Sequence, residues 1–205
     1  MILSLQGCMA VGKTSAADYL KTHAPYLHVQ FEDTSELINE ITRRQLDKNS
    51  FEDFVEIQRL WIQHEINRWE KAKNFPCTIM DFGAEEIEFY TLNYPKAIGK
   101  DWPVEKALGD ELKALKRCLP TRILFLDASE AFLRRNKESD KSRSRNFFDF
   151  YLQNLLPLKR QWFLGQEQVD VLHVDPLAPA GGSGLVPAQG AGAACQCAAP
   201  APAGR

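Results

Sequence analysis

Gly7, Gly12, Lys13 and Thr14 stand in the spacing G-x-x-x-x-G-K-[ST] within GCMAVGKTS, residues 7–15. That spacing suits polyphosphate binding. Glycines let consecutive backbone N–H groups turn inward on anionic oxygens, the amine neutralises outer phosphates, and the hydroxyl ligates magnesium. On this reading Gly7, Cys8, Met9, Ala10, Val11, Gly12, Lys13, Thr14 and Ser15 line a nucleotide site. Lys13 also acts in catalysis, and Thr14 holds the metal. Asp81 ends the apolar run CTIMDF and is read as a second metal ligand; capping of a following helix is the competing role. In FEDTSE, Glu32 and Asp33 are candidates for the base that takes a proton from an acceptor hydroxyl. Asp33 also fits a capping box with Glu36, so the two are not separated.

Basic residues are concentrated in FLRRNKESDKSRSRNFF, residues 132–148. Phosphoryl transfer spreads negative charge over the moving group, and planar guanidinium forks offset it well. Arg143 and Arg145 are read as catalytic lid arginines, and Arg134 and Arg135 as further nucleotide-binding residues. A solvated charged loop is the alternative. Asp81-Phe82-Gly83 also occurs in protein kinases, but the chain has neither their glycine-rich loop nor their H-R-D catalytic loop.

These residues need elements to hold them. ILSLQ (2–6), HVQF (28–31), CTIMDF (77–82), TRILFLDA (121–128) and VDVLHVD (169–175) are short apolar runs suited to buried parallel strands. Segments 13–23, 35–47, 51–72, 104–118 and 147–163 have helical character, the third with Phe54, Ile57, Trp61 and Trp69 at helical spacings. Alternating strands and helices predict an α/β chain, a three-layer P-loop fold with a five-stranded parallel sheet flanked by helices and an arginine-bearing lid. Ligands then sit at the carboxyl ends of the strands.

With 205 residues and a formal charge of -2, the chain can fill one core and has no field for bulk nucleic acid or an anionic membrane surface. No run reaches the ~20 apolar residues of a membrane span, and no secretory signal is evident, so a cytoplasmic location is expected. Cys8, Cys77 and Cys118 lack zinc spacing and read as buried thiols. The domain is assigned to residues 1–176. Residues 177–205, mostly Ala, Gly and Pro and including Cys195 and Cys197, read as a disordered tail. Its fragment GSGLVP resembles a vector-encoded protease-site linker.

The order of P-loop, FED, IMDFGAEEIEFY, ILFLDASEAFLRRNKESDKSRSR and long helix resembles small P-loop kinases of the nucleoside and nucleotide type, nearest to deoxynucleoside and thymidylate kinases. The resemblance spans about residues 1–176. It implies ATP, or GTP, with magnesium, and transfer of the γ-phosphoryl group to a small molecule. It implies that Glu32 or Asp33 is base or substrate ligand, that Gln58 reads a nucleobase and that lid arginines contact phosphates. Asp81 resembles the acid ending strand three. By residue type Trp61, Trp69, Phe89, Tyr90, Tyr94 and Trp102 would suit stacking on a flat base, with ordinary core packing the alternative, and Trp61 is read with Gln58 as a substrate residue. Two departures stand out: Phe82 where deoxynucleoside kinases carry Arg after that acid, and Glu32-Asp33 where they carry Glu-Pro. A sugar or antibiotic kinase, or a nucleotide-binding regulator with slow hydrolysis, stays open. The expected partners are a nucleotide and a small acceptor, with homodimer formation open. Specificity is expected from residues 35–72 and 89–102, with Trp69 and Phe89 more suited to core.

Overall fold

The structure is a computed structural model and describes residues 1–139 and 147–175. Strand β1 (Ile2–Gly7) pairs in parallel with β3 (Thr78–Asp81) and β4 (Arg122–Asp127). Outside these lie β2 (His28–Gln30), on β3, and β5 (Val169–His173), on β4. The order is β2-β3-β1-β4-β5, a five-stranded parallel sheet. β1 and β3 are buried nearly throughout, as a central position requires. β5, expected to be buried, is largely exposed, because as an edge strand it has a neighbour on one side only.

Helix α1 (Lys13–His23) packs Ala17 against Leu5 and Ile79 on one face of the sheet. The larger core lies on the other face and includes Phe54, Phe89, Phe125 and Phe163. It is built by α3 (Phe51–Ala72), α4 (Ala84–Ala97), α6 (Gly109–Lys116) and α9 (Leu156–Phe163). Burying a phenylalanine side chain removes enough apolar surface to contribute roughly 2–3 kcal/mol each. On this face Glu85 of α4 accepts hydrogen bonds from Gln6 Nε2 at 2.6 Å and Ser4 Oγ, tying α4 to β1.

Three helices differ from expectation. Helix α2 (Ser35–Arg43) stops short because the chain turns left-handed at Gln45, φ 54°. Segment 104–118 forms α5 (Val104–Ala107) and α6, interrupted at Leu108 before Gly109, a poor helix-interior residue. The last helix starts as α8 (Phe148–Phe150), widens into a π-helical turn at Tyr151–Leu155 and continues as α9. Pro157 has no N–H, and its ring would collide with the Gln153 carbonyl in an α-helix; the wider turn accommodates it. The remaining helix, α7 (Glu130–Ser139), follows β4. Among the described residues no helix is long and apolar enough to cross a membrane.

Candidate active site

The phosphate loop leaves the carboxyl end of β1 and enters α1. Gly7 has φ 137°, and a Cβ there would lie 2.5 Å from the Leu126 carbonyl oxygen, so no larger residue fits. Gly12, φ 103°, is the N-cap of α1, whose first N–H groups have no carbonyl within the helix to bond. Lys13 Nζ rests on the carbonyl oxygens of Gly7 and Cys8, at 3.2 and 3.1 Å. Burial disfavours its charge most, and the nearby Lys159 adds to this. Cys8, Cys77 and Cys118 are buried free thiols, and burial pushes Cys8 up to about 11.

A cavity of about 1070 Å³ opens over this loop, lined from Gly7 to Ser15 except for Cys8, which is buried beneath. Asp81 and Glu32 also line it. Thr14 Oγ1 donates to Asp81 Oδ2 at 2.9 Å, which brings the two expected magnesium ligands together. Among the described residues no cluster of three or more His, Cys, Asp or Glu could hold a metal alone. One hydroxyl, one carboxylate and the phosphates themselves suit magnesium, which keeps several waters and few protein ligands.

A second cavity, of about 580 Å³, adjoins the first. Met9, Glu32, Phe82, Glu86 and Tyr151 line both, so they form the passage between them. Gln58 and Trp61 of α3 line the second cavity with Tyr90 and the aliphatic Ile41, Leu46, Ile57 and Ile87. Gln58 Oε1 accepts a 2.8 Å hydrogen bond from the buried Thr91 hydroxyl, which fixes the amide. At the rim Lys48 lies over the Phe147 ring at 4.1 Å. Phe89 is buried in the core and Trp69 and Trp102 pack against it, and none of the three lines either cavity.

The acidic pair separates. Glu32 opens onto both cavities, while Asp33 lines neither and accepts a hydrogen bond from the Ser35 N–H at 3.3 Å. The expected capping box does not form: Thr34 is the N-cap of α2, with no side-chain cap. Glu32 is solvent-accessible, yet the surrounding protein displaces enough water to push its carboxyl up to about 7. Arg68 opposes this, and the like charges of Asp81 and Glu86 reinforce it.

Sequence reasoning did not single out Arg68. It is buried on α3, pairs with Glu65 at 2.6 Å and stacks over the Phe82 ring at 5.2 Å. A guanidinium thus reaches this corner from a helix, although β3 is followed by Phe82, which adopts the left-handed φ 53°. The lid flank also departs from expectation. Arg134 is held by Glu130 at 2.7 Å and Asp149 at 2.6 Å, Arg135 lies over Phe132, and neither lines either of these two cavities. Asn136 and Ser139 of α7 line the phosphate cavity instead, and Asn136 Nδ2 donates to the Ala10 carbonyl at 3.0 Å. The i,i+3 spacing of Asn136 and Ser139 could have indicated a second polar face. Arg143 and Arg145 lie outside the described residues. Lys159 was missed too; nothing in its sequence neighbourhood distinguishes it from a surface lysine.

No protein-family model matches the chain, and no curated protein sequence does. Among solved structures it is similar to a deoxyadenosine kinase from M. mycoides, with the products dCMP and a flexible dCDP bound. The identity is 14% and the TM-score 0.62, over 84% of this chain and 90% of that one. The chain therefore has the P-loop fold seen in that kinase, a five-stranded parallel sheet flanked by helices.

Proposed function

We propose that the protein is a magnesium- and ATP-dependent kinase that phosphorylates a hydroxyl of a nucleoside-type acceptor. The observation that carries this reading is the pair of adjoining cavities, one over the phosphate loop and one lined by Gln58 and Trp61, joined past Glu32. A hydrolase needs only the first. The likeness to a deoxyadenosine kinase supports a deoxynucleoside as acceptor.

Within this reading Lys13 leaves the Gly7 and Cys8 carbonyls for the outer phosphate oxygens. The N–H groups at the start of α1 hold the remaining oxygens. Thr14 and Asp81 would hold magnesium, which would neutralise charge on the nucleotide's phosphates. Gln58 presents its fixed amide to the edge of a base, and Trp61 and Tyr90 offer it apolar faces. Glu32 accepts the acceptor hydroxyl's proton as that oxygen bonds to phosphorus and the bond to the leaving diphosphate breaks. GTP as an alternative donor, and lid roles for Arg143 and Arg145, belong to the same proposal.

The test is a panel of deoxynucleosides, ribonucleosides, nucleoside monophosphates, sugars and aminoglycosides with magnesium-ATP, followed by ADP release. A deoxynucleoside should raise turnover far above background, and Lys13→Ala should abolish the increase. If no acceptor changes the background rate while ATP binds, a slowly hydrolysing nucleotide-binding protein replaces this reading.

A further inference from the structure

Lys159 is 1% exposed, and its ammonium donates to the Gly7 carbonyl at 3.1 Å, Glu86 Oε2 at 2.5 Å and the Tyr151 hydroxyl at 3.1 Å. Three N–H donors meet three acceptors, which is how an ammonium tolerates burial. The acceptors come from the end of β1, the first turn of α4 and the π-helical turn. All three residues line the phosphate cavity, and Glu86 and Tyr151 also line the acceptor cavity.

The helix geometry serves this contact. Residues eight apart on a regular α-helix are rotated by about 80°, but a π turn takes up one extra residue and cuts the offset to roughly 20°. Tyr151 and Lys159 thereby share a face directed at the phosphate loop. Lys13 also donates to the Gly7 carbonyl, at 3.2 Å. Once Lys13 moves to phosphate, Lys159 is the side chain that keeps this buried carbonyl bonded. The two ammoniums also repel, so an incoming polyphosphate relieves a repulsion built into the loop.

We infer that Lys159 is a positioning residue that couples occupation of the phosphate loop to the wall of the acceptor cavity, through the Gly7 carbonyl on one side and Glu86 and Tyr151 on the other. The coupling gives the proposed phosphotransfer its order: nucleotide binding firms the surface against which the acceptor rests. Its purpose rests on that reading, but its test does not.

The experiment is hydrogen–deuterium exchange on the full chain, with and without a magnesium-bound, non-hydrolysable ATP analogue. In the unaltered protein the analogue should slow exchange in residues 7–15 and, by roughly tenfold, in residues 84–90 and 148–156. In Lys159→Met, slowing should be confined to residues 7–15. Tyr151→Phe should lose it in 148–156 and keep it in 84–90. Slowing of both walls in Lys159→Met, or none beyond residues 7–15 in the unaltered protein, overturns the inference. Should Lys159→Met not fold, undiminished slowing of 148–156 in Tyr151→Phe overturns it alone. Because no acceptor is added, a negative acceptor panel would remove the kinase reading without altering this outcome.

Discussion

Glu32 carries the sharpest residue-scale expectation. With its carboxyl near 7 and the ordinary value at 4.5, the folded chain holds a proton that the unfolded chain releases. The sign follows from linkage: this group's contribution to stability is complete below about 4.5 and is lost as pH rises through about 7. Glu32→Gln should therefore raise the melting temperature more at pH 8 than at pH 5, which thermal denaturation at the two values checks. The same substitution should lower turnover by about 10²–10⁴ and remove an acid limb near pH 7 from the kcat/KM profile. At Gly7 the backbone decides. A Cβ would meet the Leu126 carbonyl at 2.5 Å, and φ 137° is unfavourable for any side chain, so Gly7→Ala should lose magnesium-ATP binding and unfold at lower temperature. Both positions could be read in the sequence as candidates, Gly7 from its motif and Glu32 from its place after a strand. The choice of Glu32 over Asp33 could not, because it depends on which way two adjacent side chains face.

At the scale of elements, α3 and α4 together shape the second cavity. Thr91 on α4 donates to Gln58 on α3 and leaves that amide one orientation. Thr91→Val removes the donor at nearly constant volume. It should raise the acceptor KM about tenfold with the ATP KM unchanged, as steady-state kinetics with each substrate varied in turn would measure. Strands and helices were legible because apolar runs and 3.6-residue periodicity are local signals, and α1 and α3 begin and end where the pattern does. The π-helical turn was not, although Pro157 pointed to some disturbance. Whether a helix kinks, ends or widens at proline depends on what its flanks pack against. Lys159 was illegible for the same reason, since two of its three acceptors, Gly7 and Glu86, are distant in sequence and the third, Tyr151, is brought round by the π-helical turn.

For the molecule as a whole, the sheet order places β1 between β3 and β4, so the phosphate loop, Asp81 and the start of α7 converge at one end. This convergence was legible as fold class. Of the second cavity, Gln58 and Trp61 were legible, but its outline was not, being formed from several separate stretches of chain. Ligand binding to the folded state alone should stabilise it, by about 2.7 kcal/mol at a hundred times Kd. Thermal shift with magnesium-ATP should show this stabilisation, and Lys13→Ala should lose most of it. Removing residues 177–205 should leave melting temperature and turnover unchanged. The most direct measurement follows the label of γ-³²P-ATP in the presence of a deoxynucleoside. Label should appear on the nucleoside, with none in Lys13→Ala and a rate falling below pH 7. Label appearing only as free phosphate, whatever acceptor is supplied, would contradict the kinase reading.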